Sequence, residues 1–324
     1  MSAAAFYCVA DERYFLGAVA MINSLRLLGH SEQVHLLDCG LRPEQREILG
    51  GHVTLLENRE RTPPWLAKTI APLEHPAEVM ILIDADMIVT RPLVELIERA
   101  GSDRVVVFEN DTDRFVSDWG ELLDLGPARR RPYVSSGLIL LSGRSGKTVL
   151  ALLDEHQRSV DVERTFARAA DADYPFLYPE QDVLNAILST SIPEEQIVSL
   201  ANRLAPNPPY EGLRIVDEAL LRCRHPDGVE PFVLHQFVRK PWLEPMYHGI
   251  YSRLMARLLL GGDVAIKLSP QSVPRRMRNG ARAGAERMIV NATDLGRWYL
   301  TERLPRWVKG RSAAARGHGG RRNR

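Results

Sequence analysis

The stretch that most constrains this chain is residues 79–89, Val-Met-Ile-Leu-Ile-Asp-Ala-Asp-Met-Ile-Val. Five consecutive apolar residues, rich in Ile, predict a strand buried on both faces. Asp84 and Asp86 stop the apolar run, which then resumes. In extended backbone, residues at i and i+2 point to the same side, so the two carboxylates are expected to reach one point in space. Two acids at the end of a buried strand repel each other and lose hydration. A cation held between them relieves both costs. A bare Asp-x-Asp is weak by itself, because one acid capping a turn beside a solvated neighbour accounts for it equally well. The pair has to be read with the rest of the chain.

The first 110 residues alternate strand and helix signals. Strands are expected at 5–10, 34–39, 53–56, 79–83 and 104–108. Helices are expected at 17–28, 43–49 (opened by Pro43) and 92–100. This alternation predicts an open, largely parallel sheet with helices on both faces. Residues 110–132 read as a long polar loop with a short helix near 119–123. A strand is expected at 133–141, interrupted by Ser135-Ser136-Gly137. Helices follow at 147–159, 180–188 and 245–260, with a Pro-rich loop at 206–212 and a short strand at 232–234 that runs into His235.

The 324 residues are enough for one large α/β domain. The net charge of +1 conceals a division. From Pro270 onward there are 14 Arg and Lys against three acids, which leaves an acidic body and a basic tail. We therefore expect a catalytic domain over 1–268 and a basic amphipathic helix with a disordered end over 269–324. With Trp298, Tyr299 and Trp307 along it, the tail suits an anionic membrane surface. Its Arg-rich end has no interleaved aromatics, so nucleic acid is not an expected partner. Cys8, Cys39 and Cys223 show no paired spacing and read as buried free thiols. The N-terminus lacks a basic region and does not read as a signal peptide. A cytoplasmic location follows, peripheral on the membrane if the tail docks there.

In open α/β sheets, ligands bind outside the carboxyl ends of the strands. Asp84 and Asp86 are expected there, and so is Asp11 after the first strand. His235 ends a short strand much later, and Lys240 follows five residues on. Two carboxylates and an imidazole suit Mn²⁺, with Mg²⁺ as the alternative, and a nearby lysine suits phosphate. Together they point to metal-assisted handling of a diphosphate. Gly143-Arg-Ser-Gly-Lys147-Thr148 lacks the first glycine of a phosphate loop, since Leu141 stands there, and reads as a helix start. Asn291-Ala-Thr293 fits a glycosylation sequon but is given no role.

Five blocks, in order over residues 5–242, resemble the family 8 glycosyltransferases, the group of glycogenin and the bacterial lipopolysaccharide galactosyl- and glucosyltransferases. They are Val9-Ala-Asp-Glu-Arg-Tyr14 with Gly17 and Ser24, Leu82-Ile-Asp-Ala-Asp-Met-Ile-Val89, Ser136-Gly-Leu-Ile-Leu-Leu141, Glu180-Gln-Asp-Val-Leu-Asn185 and His235-Gln-Phe-Val-Arg-Lys-Pro-Trp242. The resemblance implies a GT-A (Rossmann-like) fold and a retaining transfer from a nucleotide sugar, commonly a UDP-sugar, with Mn²⁺. It implies that Asp84, Asp86 and His235 bind the metal and that Lys240 contacts the diphosphate. Asp11 and Tyr14 would line the base and ribose pocket, Lys68 would reach the donor, and Ser135 and Ser136 would face the sugar. Glu180 and Gln181 would sit beside the anomeric carbon.

Three departures stand out. Glu180 replaces the usual Asp, Ser135 stands where Asn is frequent, and the closing block lacks a Gly between His235 and Lys240. The acceptor, a saccharide or a lipid-linked one, is expected to be set by 110–132 and 206–212. Two other readings compete. A nucleotidyltransferase would need a Gly-rich loop after the first strand, and Ala10-Asp-Glu-Arg-Tyr14 has none. A non-catalytic nucleotide-sugar-binding or degenerate membrane-surface protein is kept open by Glu180 alone.

Overall fold

The structure is a computed structural model that describes residues 3–278 apart from residues 169 and 245–248. The expected tail helix beyond Arg278, its disordered end and the sequon all lie outside the described residues.

The first half of the chain runs β1 (Ala4–Ala10), α1 (Phe15–Leu27), β2 (Gln33–Asp38), α2 (Pro43–Gly50), β3 (Thr54–Glu57), α3 (Ile70–Glu74), β4 (Val79–Ile83), β5 (Met87–Val89), α4 (Val94–Ala100) and β6 (Val105–Glu109). It continues through α5 (Trp119–Leu122), β7 (Val134–Ser142), α6 (Gly143–Gln157), α7 (Pro179–Thr190), β8 (Ile197–Leu200), β9 (Arg214–Asp217), β10 (Arg222–Arg224), β11 (Val233–His235) and α8 (Ile250–Leu260). Seven strands form one sheet in the order β3-β2-β1-β4-β7-β6-β8. Every neighbouring pair is parallel except the two made by β7, which runs against both β4 and β6. This is the expected open, largely parallel sheet, made mixed by β7.

Both faces of the sheet are covered, and alternate residues of the strands supply two cores. Phe6 and Cys8 of β1 and Ile81 and Ile83 of β4 pack with α1 and α8. Ala5, Tyr7, Met80 and Leu82 face the other way and pack with α6 and α7. That is why β4 reads as an unbroken apolar run: neither face meets water. Asn23, buried on α1, clamps that layer by donating to the carbonyls of Leu258 and Ile266 and accepting from the Ile266 N–H. Val273 and Met277 are buried in the same core, beyond the division expected at 268.

Three local expectations are corrected. The strand over 133–141 is not interrupted at Ser135-Ser136-Gly137. It runs unbroken as β7, and the irregularity falls on its neighbour, in β6 between Val106 and Phe108. Asp84 and Asp86 are not the extended end of β4. The chain turns there, with the Met87 N–H donating to the Asp84 carbonyl at 3.1 Å. Cys8 and Cys223 are buried free thiols, but Cys39 is only half-buried and accepts from the Asn58 amide. Sequence periodicity also missed β8 and the β9–β10 hairpin. Among the described residues no helix is long and apolar enough to cross a membrane.

Candidate active site

The turn after β4 places two carboxylates at the carboxyl end of the sheet. The chain then resumes as β5, and β5 pairs antiparallel with β11 so that His235 lies opposite Met87. This pairing carries a histidine from 149 residues downstream to the two acids. His235 Nε2 stands 3.4 Å from Asp86 Oδ1 and 3.6 Å from Asp84 Oδ2. One ligand atom from each of the three residues falls within 4.8 Å of the others. Gly137 makes the approach possible. A Cβ there would lie 2.5 Å from Met87 Cε and 2.7 Å from His235 Cε1, closer than atoms can sit.

The remaining carboxylate oxygens are taken by lysines. Lys240 Nζ bonds Asp86 Oδ2 and the Gln236 carbonyl. Lys68 Nζ lies 2.7 Å from Asp84 Oδ1, 2.8 Å from Glu180 Oε1 and 2.8 Å from the Ser136 carbonyl. Each aspartate therefore turns one oxygen to a lysine and the other to His235. Three carboxylates face two ammonium groups, which leaves the cluster short of positive charge. A divalent ion with ligands at about 2.1 Å sets adjacent ligand atoms ~3 Å apart. The two separations from His235, 3.4 and 3.6 Å, are close to that size, and two carboxylate oxygens with a neutral imidazole nitrogen are a donor set that Mn²⁺ or Mg²⁺ accepts. The residues fit such an ion.

The two sides of the cluster differ electrostatically. Burial opposes the charge of Asp86, but Lys240 and His235 outweigh it and hold the carboxyl well below the usual carboxylate range. Burial dominates at Glu180. Lys68 pulls its carboxyl back, Asp84 pushes it further up, and the result is about 7. For Lys68, burial disfavours the ammonium, yet Asp84 and Glu180 together keep it charged, above the ordinary lysine value.

The other expected residues are placed as follows. Asp11 follows β1, and its Oδ1 accepts from the Arg13 and Tyr14 N–H groups at 2.9 Å, so it shapes its own turn. Tyr14 is half-buried, with its ring edge-on to Trp242 and the Lys240 ammonium 5.5 Å from its centre. Burial first, then Asp86 and Asp84, push the Tyr14 hydroxyl up. Trp242 Nε1 donates to the Arg13 carbonyl at 2.7 Å, which ties the last block to the first. Gly17 is the close-packing point of that tie: a Cβ would lie 2.4 Å from the Ala85 carbonyl oxygen and 2.9 Å from the Trp242 ring. On β7, Ser135 Oγ accepts from the Gly137 N–H, and the Ser136 N–H donates to Gln181 Oε1 at 3.3 Å. Glu180 and Gln181 occupy the first turn of α7.

Two residues of the site were not singled out from the sequence. Tyr251, on α8, is buried and donates to the Asp86 carbonyl at 2.9 Å. Its place in a helix with apolar spacing marked it only as core. Gln236 is fully buried and supports the turn through its N–H, which donates to the Asp86 carbonyl, and through Oε1, which accepts from Tyr210. It lies between two motif residues, which was the one available hint.

No protein-family profile matches the sequence, nor does any curated protein. Solved structures do match. An active-site glutamine-to-glutamate mutant of LgtC superposes over 82% of this chain and 98% of its own, with 15% identity and a TM-score of 0.53. The galactosyltransferase LgtC in complex with donor and acceptor sugar analogs gives 83% and 98% coverage, 15% identity and a TM-score of 0.51. The apo bifunctional glycosyltransferase WbbM gives 14% identity and a TM-score of 0.55 over 82% of this chain, but the match spans only 50% of that longer protein. At such identities the likeness is one of fold. The chain has the GT-A architecture of these glycosyltransferases, the fold that its five sequence blocks predicted from their resemblance to family 8.

Proposed function

We propose that this protein is a metal-dependent retaining glycosyltransferase that moves a hexose from a nucleotide sugar, UDP-glucose or UDP-galactose, to a saccharide or lipid-linked acceptor. The observation that carries the reading is the convergence of Asp84, Asp86 and His235, flanked by Lys68 and Lys240, at the carboxyl end of β4 in a GT-A fold. Those three residues would hold Mn²⁺, which would supply positive charge to a diphosphate leaving group.

Negative charge grows on the leaving oxygen as the glycosidic bond lengthens, so positive groups placed there favour the transition state over the ground state. Lys240, held beside Asp86, supports that charge. Asp84 and Asp86 are ligands and carry no proton in the reaction. Asp11 and Tyr14 border the nucleotide, and Ser135 and Ser136 the sugar. Glu180 and Gln181 face the sugar from across the cleft, and their oxygen atoms stabilise an oxocarbenium-like centre. Glu180 is one methylene longer than the usual Asp, and the Lys68 contact holds that longer arm in place. The basic tail suits a peripheral position on an anionic membrane, where a lipid-linked acceptor would be met.

Incubating the protein with a panel of nucleotide sugars, with and without Mn²⁺, and reading the products by mass spectrometry tests the proposal. Transfer or slow hydrolysis of a UDP-hexose that requires Mn²⁺ and is lost in Asp86→Ala is expected. Inertness toward every donor, with Asp86→Ala indistinguishable from the parent, would sink it. Donor binding without turnover would favour the non-catalytic reading.

A further inference from the structure

A second polar cluster lies outside the metal-site residues, behind the first turn of α7. Asp182 is fully buried. Its Oδ1 accepts from Arg114 Nε at 2.9 Å and from the Tyr133 hydroxyl at 2.6 Å, and its Oδ2 accepts from the Tyr178 N–H at 2.9 Å. Arg114 reaches further, donating through Nη2 to the carbonyls of Tyr174 and Pro175. Trp119 Nε1 donates to the same Pro175 carbonyl at 2.8 Å. One turn on, Asn185 accepts from the Val134 N–H and donates to the carbonyls of Val134 and Gln181. Three separate segments thus converge on the start of α7: the 114–119 stretch, the beginning of β7, and the loop over 174–178. Glu180 and Gln181 sit inside this frame, one bound to Lys68 and the other to the Ser136 N–H.

Asp182 is walled off from the cleft and has both oxygens engaged, so it is not placed to touch a substrate. A buried carboxylate with an arginine and two further donors is instead a rigid fixture, since any movement of α7 would strand a charge away from water. We propose that Asp182, with Arg114 and Tyr133, is the positioning unit that sets the depth and rotation of α7's first turn and so aims Glu180 and Gln181 at the sugar. The inference rests on the function proposed above. It also links two parts of the chain that the sequence treated separately, because Arg114 belongs to the long segment expected to set the acceptor.

The test compares Asp182→Asn, Arg114→Gln, the double variant and Tyr133→Phe with the parent. Two readouts are taken: steady-state kinetics with Mn²⁺ and the donor, and amide hydrogen exchange residue by residue. Misaimed groups cost turnover more than binding, so Asp182→Asn should lower kcat about tenfold while the donor KM stays within about twofold. The double variant should be no worse than the poorer single, because both break one unit. Tyr133→Phe, which removes only a hydroxyl, should lower kcat by about threefold, and it serves if the charge variants do not fold. Amides of 178–186 should exchange at least about tenfold faster in the variants, while those of β1 and β4 keep the parent's protection. Unchanged kcat in folded Asp182→Asn, losses that add in the double variant, or exchange that rises uniformly across the sheet would overturn the positioning role. If the parent turns over no donor, the proposed function fails. The exchange pattern then decides this inference alone, and equal protection of 178–186 in parent and Tyr133→Phe overturns it.

Discussion

The two aspartates of the cluster are two residues apart and each meets a lysine and His235, yet the two sides differ in how that lysine is shared. Asp86 faces Lys240 and His235, both delivered by the last block of the fold, and its carboxyl is held charged far into acid. Asp84 is more open and shares Lys68 with Glu180, whose carboxyl stands at about 7. One side keeps its charge below the usual carboxylate range and is suited to holding a cation. The other carries an acid that changes charge near neutral pH, beside the place proposed for the sugar. The cluster therefore separates binding from adjustment by neighbours rather than by residue type, since all three acids are carboxylates.

The sharpest break is Asp86→Ala, which removes an expected ligand and leaves Lys240 buried without its carboxylate partner. Mn²⁺ binding, followed by electron paramagnetic resonance, should be lost, and donor turnover should fall by about 10²–10³-fold. Next comes Gly137→Ala. The added methyl meets the His235 ring and Met87, so the variant should be less stable by about 1–3 kcal/mol in urea and should bind Mn²⁺ more weakly. A stable variant with parental metal affinity would show that His235 is not held where the fold places it.

The Glu180 side is tested by pH. Unfolded, this carboxyl releases its proton at about 4.3; folded, it does so at about 7. Between those values the folded state binds the extra proton, so this group makes stability fall as pH rises from about 4.5 to about 7 and adds no further change above that. Asp86 has the opposite sign: its contribution is complete above the ordinary carboxylate range and is lost as pH falls toward its lowered folded value. Urea midpoints of metal-free parent and Glu180→Gln, measured from pH 4.5 to 8, should therefore differ in slope, the parent losing stability relative to the variant as pH rises toward about 7. Parallel curves would contradict it. The smallest effect is expected at Asp11→Ala. Losing the acceptor of two turn N–H groups should cost about 1 kcal/mol in stability, and calorimetry with UDP then shows whether Asp11 also touches the nucleotide.

Much of the fold was legible because its signals are local. The β4 run, the Pro43 helix start and the strand–helix alternation each depend on residues close in sequence, and each element forms within a few residues of its expected place. The short β8 and the β9–β10 hairpin were not legible, because their four- and three-residue strands, apart from the buried Cys223, carry half-buried or exposed side chains and too little pattern. Within the site, Asp84, Asp86, His235, Lys68 and Lys240 could be named from motifs, and the structure gathers them. Arg114, Tyr133 and Tyr251 could not, because each lies in a segment whose composition reads as loop or core, and Asp182 stands inside the fourth block at a position to which no role was assigned.

By itself the sequence determined an acid pair behind a strand buried on both faces, and an order of blocks compatible with one architecture. Apolar periodicity encodes which residues must leave water, and that requirement acts over a few residues at a time. Only the tertiary structure decided how the two acids are used. A turn after β4, rather than extended backbone, carries the two acids, and the β5–β11 pairing brings His235 across. Lys68 and Lys240 then claim one oxygen of each aspartate. Those choices depend on contacts between residues 16 to 154 positions apart, where Coulomb attraction and burial act through space and leave no periodic trace along the chain.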